Sequence, residues 1–325
     1  MTKSHFAYWK LIVEGILIYL VICSCSRSEC TDGGLLWKIS GNGLQKPSYL
    51  FGTNHGMSEH FLDSIPGVFE AFNSVKQFVV EYNFTRPKKL DSLKPINVDL
   101  PPDTTYKDLL DEKELAILDS VCLIYFNCLS EKVNLNPNAL IMSLQLGMIK
   151  RQSQKWAKEN PFLKIVNNRH ESIDSRLMGL AQEKSYPIIE LDSEEKMEQL
   201  GLRDYRILFS SDDLQLKAKE MVQSIVELQQ DSLIDISKKM VQAYYEQDLL
   251  QVEKWIFHPK IFKKEKSELF YYTLFVKRNI FWMDKILFSI RKNPVFIMVG
   301  AGHLPGKNGL INLLKDEGYI VKPIK

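Results

Sequence analysis

Hydrophobic and polar positions change period several times along the 325 residues, and each change marks an element. Near the start, "LLWKISG" and "SYLFGTNH" are strand-like runs separated by "NGLQKP". An Asn-Gly turn between apolar runs predicts a hairpin. Apolar residues at helical spacing predict a helix over about 62–74. The continuous run "QFVVEYN" then predicts a buried strand with Glu81 at its open end. The middle is mostly helical in period, first in "YKDLLDEKELAILDSVC" and again in "NALIMSLQLGMIKRQSQKWA". "HESIDSRLMGLAQEKSYPIIELDS" reads as helix, turn and a strand ending in Glu190 and Asp192. From 194 to 292 the pattern is helical and charge-rich. "PVFIMVG" is a further strand, "GHLPGKNG" a loop, "LINLLKDEG" a helix with a glycine cap and "YIVKPI" a closing strand. Strands thus cluster at both ends and around 186–192. The two end sets must pair, because neither makes a sheet alone. The expectation is one α/β domain over 31–325 with large helical insertions, and no short repeat or low-complexity linker.

The first 25 residues depart from this pattern. Lys3 and Lys10 precede "LIVEGILIYLVIC" and "SCSRSEC". A basic start, a short apolar run and a small-residue boundary predict an export signal. The run falls short of the ~20 residues of a membrane span, and Glu14 interrupts it. "ICSC" resembles a bacterial lipoprotein box, with Ile22 at −3, Ser24 at −1 and Cys25 acylated. Cys23 fits less well, because bulky Ile22 would then stand at −1. An uncut anchor helix is the alternative. Both readings place the body outside the cytoplasm, tethered to a membrane.

Composition narrows the function classes. Hydrophobic residues are 45% and charged residues 25%, ordinary for a globular protein. A net charge of +2 gives no electrostatic case for nucleic acid. Of five cysteines, Cys23 and Cys25 belong to the signal, leaving Cys30, Cys122 and Cys128. Cys122 and Cys128 lie in "CLIYFNC" and read as small buried hydrophobes rather than a bridge or a zinc pair.

Familiar motifs fail on spacing. "GAGHLPGKNG" has neither the Walker A interval nor the dinucleotide fingerprint. There is no Gly-x-Ser-x-Gly elbow, and "HESID" lacks a zincin's second histidine. Six histidines are present, and two of them, His55 in "YLFGTNH" and His303 in "IMVGAGH", follow a strand-like run and Gly-x-x. A glycine at a strand end lets the backbone turn, so both should lie along the carboxyl edge of the sheet. With a carboxylate from the same edge, Glu81 or Glu190, they would make a two-histidine, one-carboxylate metal set. The bland readings are loop or cap histidines. His60 reads as a surface residue, and His170 and His258 as solvated. In "RNIFW", Ile280, Phe281 and Trp282 would pack into the core with Arg278 and Asn279 at the rim; the functional alternative turns Arg278 or Asn279 to the site.

"LLWKISGNGLQKPSYLFGTNH", "VVEYN", "RNIFW" and "VFIMVGAGHLPGKNGLINLLKDEGYIVKPI" resemble the TraB/GumN family, which also holds the Tiki proteins. The resemblance covers about 35–325. It maps the family's two Gly-x-x-His motifs onto His55 and His303, its glutamate onto Glu81, and its Arg-Asn pair onto Arg278 and Asn279. The family's Gly-Ile-Asp is here "SID", with Ser172 replacing glycine and Asp174 kept; "IIE" at Glu190 matches its "LE". The implied fold is a mixed central sheet of the erythromycin esterase and Tiki type, built from two related halves. The implied activity is divalent-metal-dependent hydrolysis of a peptide or protein substrate, with manganese or cobalt favoured and zinc compatible. On that basis His55 and His303 hold the ion, Glu81 is ligand or general base, and Asn279 or Arg278 stabilises the oxyanion. Bacterial relatives include a protein that shuts down peptide pheromone signalling, so a non-catalytic peptide-binding or sequestering role is the rival.

Overall fold

The computed structural model describes residues 33–83, 98–144, 147–148, 151, 171–193, 213–229, 231–258 and 271–325. The export signal, Cys25 and His170 lie outside the described residues. Among the described residues, no helix is long and apolar enough to cross a membrane.

Among the described residues, six strands form one mixed sheet: β1 (Leu36–Ser40), β2 (Ser48–Thr53), β3 (Gln77–Val80), β4 (Ile188–Glu190), β5 (Val295–Gly300) and β6 (Ile320–Pro323), in the order β4-β3-β5-β2-β1-β6. β1 and β2 are the expected hairpin, with Leu36 opposite Phe51. Its turn runs through Gly41, Asn42 and Gly43 at φ 78°, 45° and 81°, a left-handed path that glycine and asparagine tolerate best. β6 closes antiparallel on β1, so the two ends of the chain do meet in the sheet. β2, β5, β3 and β4 run parallel. Their carboxyl ends therefore share one edge.

The predicted helix over 62–74 is two pieces. A 3-10 turn, Glu59–Ser64, is separated from α1 (Val68–Ser74) by Pro66 and by Gly67 at φ 70°. Proline removes an amide donor and the left-handed glycine breaks the helical path. The remaining labelled helices are α2 (Tyr106–Leu109), α3 (Glu112–Phe126), α4 (Ile173–Glu183), α5 (Leu214–Leu228), α6 (Asp231–Tyr245), α7 (Leu249–Ile256), α8 (Lys277–Lys292) and α9 (Leu310–Asp316).

Among the described residues, two apolar cores result. The larger is centred on the sheet, where Phe51, Phe72, Phe78 and Phe296 meet with ring centroids 5.4–6.0 Å apart. Each such ring, fully buried, contributes roughly 1.5–3 kcal/mol. The smaller joins α3, α5 and a helix over 137–144 through Leu118, Val121, Leu140, Leu144, Val222 and Ile225. Cys122 belongs to this core as a free thiol, and Cys128 is also free.

Candidate active site

The site grows from the shared carboxyl edge. β2 and β5 are neighbours, with Thr53 opposite Gly300, so both Gly-x-x-His motifs leave the sheet side by side. Neither glycine turns the chain as the sequence suggests. Gly300 has φ −57°, and Gly52 lies outside the left-handed region as well. What these positions require is the absence of a Cβ. One on Gly52 would stand 3.0 Å from the Ala301 Cα, and one on Gly300 would stand 3.3 Å from Glu81 Oε1. The glycines admit close neighbours.

His303 is buried, with 3% of its side chain exposed. Its Nδ1 lies 2.6 Å from Asn279 Oδ1. The Asn279 amide nitrogen donates to the carbonyls of His303 and Asn308, so its oxygen accepts and His303 Nδ1 carries the proton. Nε2 then accepts from Arg278 Nη1 at 3.1 Å and lies 3.7 Å from Glu81 Oε1. Burial, against the attraction of Glu81, takes the imidazole down to about 3. The rings of Trp282 and Phe275 lie 4.5 Å and 4.8 Å from it.

Glu81 follows β3 and accepts from the Gly300 amide at 2.5 Å and from Arg278 Nη2 at 2.5 Å. Burial opposes its charge. His303, Arg278 and the amide outweigh burial and hold the carboxyl at about 2. Arg278 Nη2 also reaches Asp192 Oδ2 at 2.5 Å, and the Trp282 indole donates to Asp192 Oδ1 at 2.7 Å. The guanidinium lies 4.5 Å over the Trp282 ring. Arg278 and Trp282 stand one turn apart on α8 and so share a face. A π-helical turn, Tyr272–Val276, precedes α8; such turns are frequent at functional sites.

His55 sits just outside this cluster. Its side chain is 79% exposed, and Nδ1 lies 3.1 Å from Asp174 Oδ2. The interaction with Asp174 is the largest influence on this imidazole and raises its pKa. Thr53 Oγ1 donates to the other oxygen, Asp174 Oδ1, at 2.8 Å. Asp174 comes from the first turn of α4, whose N-cap is Ser172 at an ordinary φ of −73°. The "SID" serine is thus a cap accepting from the Ser175 amide, and the position needs no glycine.

The structure therefore brings together His55 with Asp174, and Glu81 with Arg278, Asp192, Asn279 and His303. Glu190 is placed otherwise: its carboxylate accepts from the Asn83 amide. Asp192, one of the two acids closing β4, takes the place beside Arg278. Parity could not separate Glu190 from Asp192, because both lie on the same alternating positions. The rim reading of "RNIFW" is corrected. Asn279 is 2% exposed and Ile280 56%, because α8 turns its polar Arg278–Asn279 side inward to satisfy His303 and Glu81. His60 is exposed as expected. His258 is half-buried and stacks on Trp255 at 5.5 Å.

The donor chemistry suits a divalent cation. Each imidazole has Nδ1 beside a side-chain oxygen, the arrangement that directs Nε2 to a ligand, but His303 Nε2 is held by Arg278 Nη1. As they stand, no three His, Cys, Asp or Glu among the described residues cluster closely enough to hold an ion. Arg278 is interposed between Glu81 and His303 as the resident positive charge.

The family model described as the TraB/PrgY/gumN family matches residues 35–323, nearly the whole chain. No curated protein and no solved structure matches.

Proposed function

The chain belongs to the TraB/PrgY/gumN family, and from that premise we propose that it is a divalent-metal-dependent peptide hydrolase, held outside the cytoplasm by lipid on Cys25. The observation that carries this reading is the matched presentation of His55 and His303, each with Nδ1 turned to a side-chain oxygen, beside ionised Glu81. The resemblance to the Tiki branch favours manganese or cobalt, and zinc suits the same ligands. It also takes the fold as two related halves of the erythromycin esterase type. The adjacent, parallel β2 and β5, each leading into Gly-x-x-His, support that view.

His55, His303 and Glu81 would hold the ion. The chemistry it supplies when bound is Lewis-acid polarisation of the scissile carbonyl and activation of water. The protein's own residues do the rest. Asp174 and Asn279 orient the two imidazoles. Glu81, held ionised against its burial by His303, Arg278 and the Gly300 amide, would serve as ligand or as general base. Arg278, fixed by Asp192 and Trp282, supplies positive charge toward the developing oxyanion. Asn279 spends its amide on His303 and two carbonyls, which makes it a positioning residue. Trp282 and Phe275 keep water from the buried ring of His303.

One observation favours the rival reading of a peptide-binding, signal-sequestering protein: Arg278 already neutralises Glu81 without an ion. Purified protein supplied with manganese or cobalt should cleave peptides, and His55→Ala and His303→Ala should abolish it. Cleavage that survives both substitutions sinks the hydrolase. Peptide binding with no ion bound, and no thermal stabilisation by any divalent ion, selects the rival.

A further inference from the structure

The loop after His303 meets a charged group that the proposed reaction does not use. Glu253, half-buried on α7, reaches this loop at Gly306. Its Oε1 lies 2.5 Å from the place a Cβ on Gly306 would take, and the Tyr271 hydroxyl lies 3.5 Å from the same point. Gly306 is at φ 83°, so both backbone and space call for glycine there. Among the described residues, the Glu253 carboxylate has no hydrogen-bond or ion-pair partner. Phe257 stands one turn along from Glu253, at the end of α7. Its ring lies 4.5 Å from Tyr271 and 4.9 Å from Phe275, and Phe275 lies 4.8 Å from His303. Three aromatic rings thus form a continuous row from the buried imidazole to the neighbourhood of Glu253.

A carboxylate drawn half out of water without a partner is costly. Aromatic faces are negative and do nothing for an anion, but they attract a cation. A carboxylate and aromatic rings together select positive charge and repel negative charge. We propose that Glu253, with Phe257, Tyr271 and Phe275, forms a subsite beside His303 that takes an ammonium group of a peptide ligand. The ammonium is either a free amino terminus or a lysine side chain. The row of rings between Glu253 and His303 corresponds to a reach of about three residues of extended peptide. The inference rests on the peptide reading of the site and narrows it to cationic ligands.

Binding rather than cleavage is the test, so that subsite and hydrolase fail separately. Calorimetry on the full-length, chelator-treated protein compares three probes at pH 7: Ala-Phe-Ala-Phe-amide, its N-acetylated form, and N-acetyl-Lys-Phe-Ala-Phe-amide. One cationic probe should bind about tenfold more tightly than the uncharged one, the size of a charge-assisted contact. Which of the two does so identifies amino terminus or lysine as the source. Glu253→Gln should remove that advantage and leave the affinity for the uncharged probe unchanged, and Tyr271→Leu should reduce it. Equal affinities for all three probes overturn the proposal. So does a complete lack of binding, or a preference that survives Glu253→Gln. A preference that depends on Glu253 in a protein that cleaves nothing would leave the subsite standing and remove the hydrolase.

Discussion

The two histidines sit in opposite environments, and their protonation should report it. In the metal-free protein, His55 is paired with Asp174 and titrates above the ordinary 6.5, whereas buried His303 stays neutral down to about 3. NMR titration should show the two midpoints displaced in opposite directions from the ordinary imidazole value, and Asp174→Asn should bring that of His55 back down. The linkage follows. A histidine whose folded pKa is depressed contributes stability that is fully present above 6.5 and lost as pH falls toward about 3. Unfolding free energy of the wild type should therefore drop as pH is lowered from 7 to 5, and drop less in His303→Gln. An equal slope in both would contradict a buried neutral imidazole. Arg278 is the other residue on which the cluster depends. Removing it as Arg278→Met leaves Glu81 and Asp192 facing each other without a counter-charge. The expected cost is about 3–5 kcal/mol in urea unfolding.

At the scale of elements, the glycines separate packing from conformation. Gly302 precedes His303, and a Cβ there would come 2.6 Å from Phe275 Cε1. Gly302→Ala should push the π-turn before α8 away from the His303 ring, changing the near-ultraviolet spectrum and weakening both stability and any divalent-ion binding. Gly179, inside α4, has nothing within 4 Å of an added Cβ. Gly179→Ala should instead stabilise by about 0.5–1 kcal/mol, read as a rise in Tm. The contrast also shows what the sequence conveys at this scale. Hairpin, edge strands and most helices follow from period and turn chemistry, because those are local. The split at Pro66 and Gly67 was written in the same residues, but the apolar positions on either side kept helical spacing across it. That Gly52 and Gly300 serve close approach could not be read, because the atoms approaching them come from Ala301 and Glu81.

At the scale of the molecule, the adjacent parallel strands β2 and β5 bring the two Gly-x-x-His segments to one edge of the sheet. That shared edge was inferable from the need for the terminal strands to pair, and so was the place of Glu81 at a parallel strand's end. The part of Asp192 was not, and the inward turn of Arg278 stood only as one of two alternatives, because both depend on which way α8 lies across the edge, a tertiary choice that no local period encodes. That architecture makes the last strand a structural keystone for a site it never touches. β6 pairs with β1 through Trp37–Ser40, buries Val321, and follows buried Tyr319. β1 in turn pairs with β2, which ends at Thr53 beside the Asp174–His55 pair. Without β6, β1 becomes an edge with unpaired backbone groups and an uncovered apolar face. Deleting residues 319–325 should therefore lower Tm, raise aggregation, and speed amide exchange in 48–53 as well as in 36–40. The smaller helical core shares no residue with this path, so exchange at Leu118, Val121 and Ile225 should change far less. Uniform acceleration across both cores would mean that they unfold as one unit, and would remove the sheet's separate claim on the site.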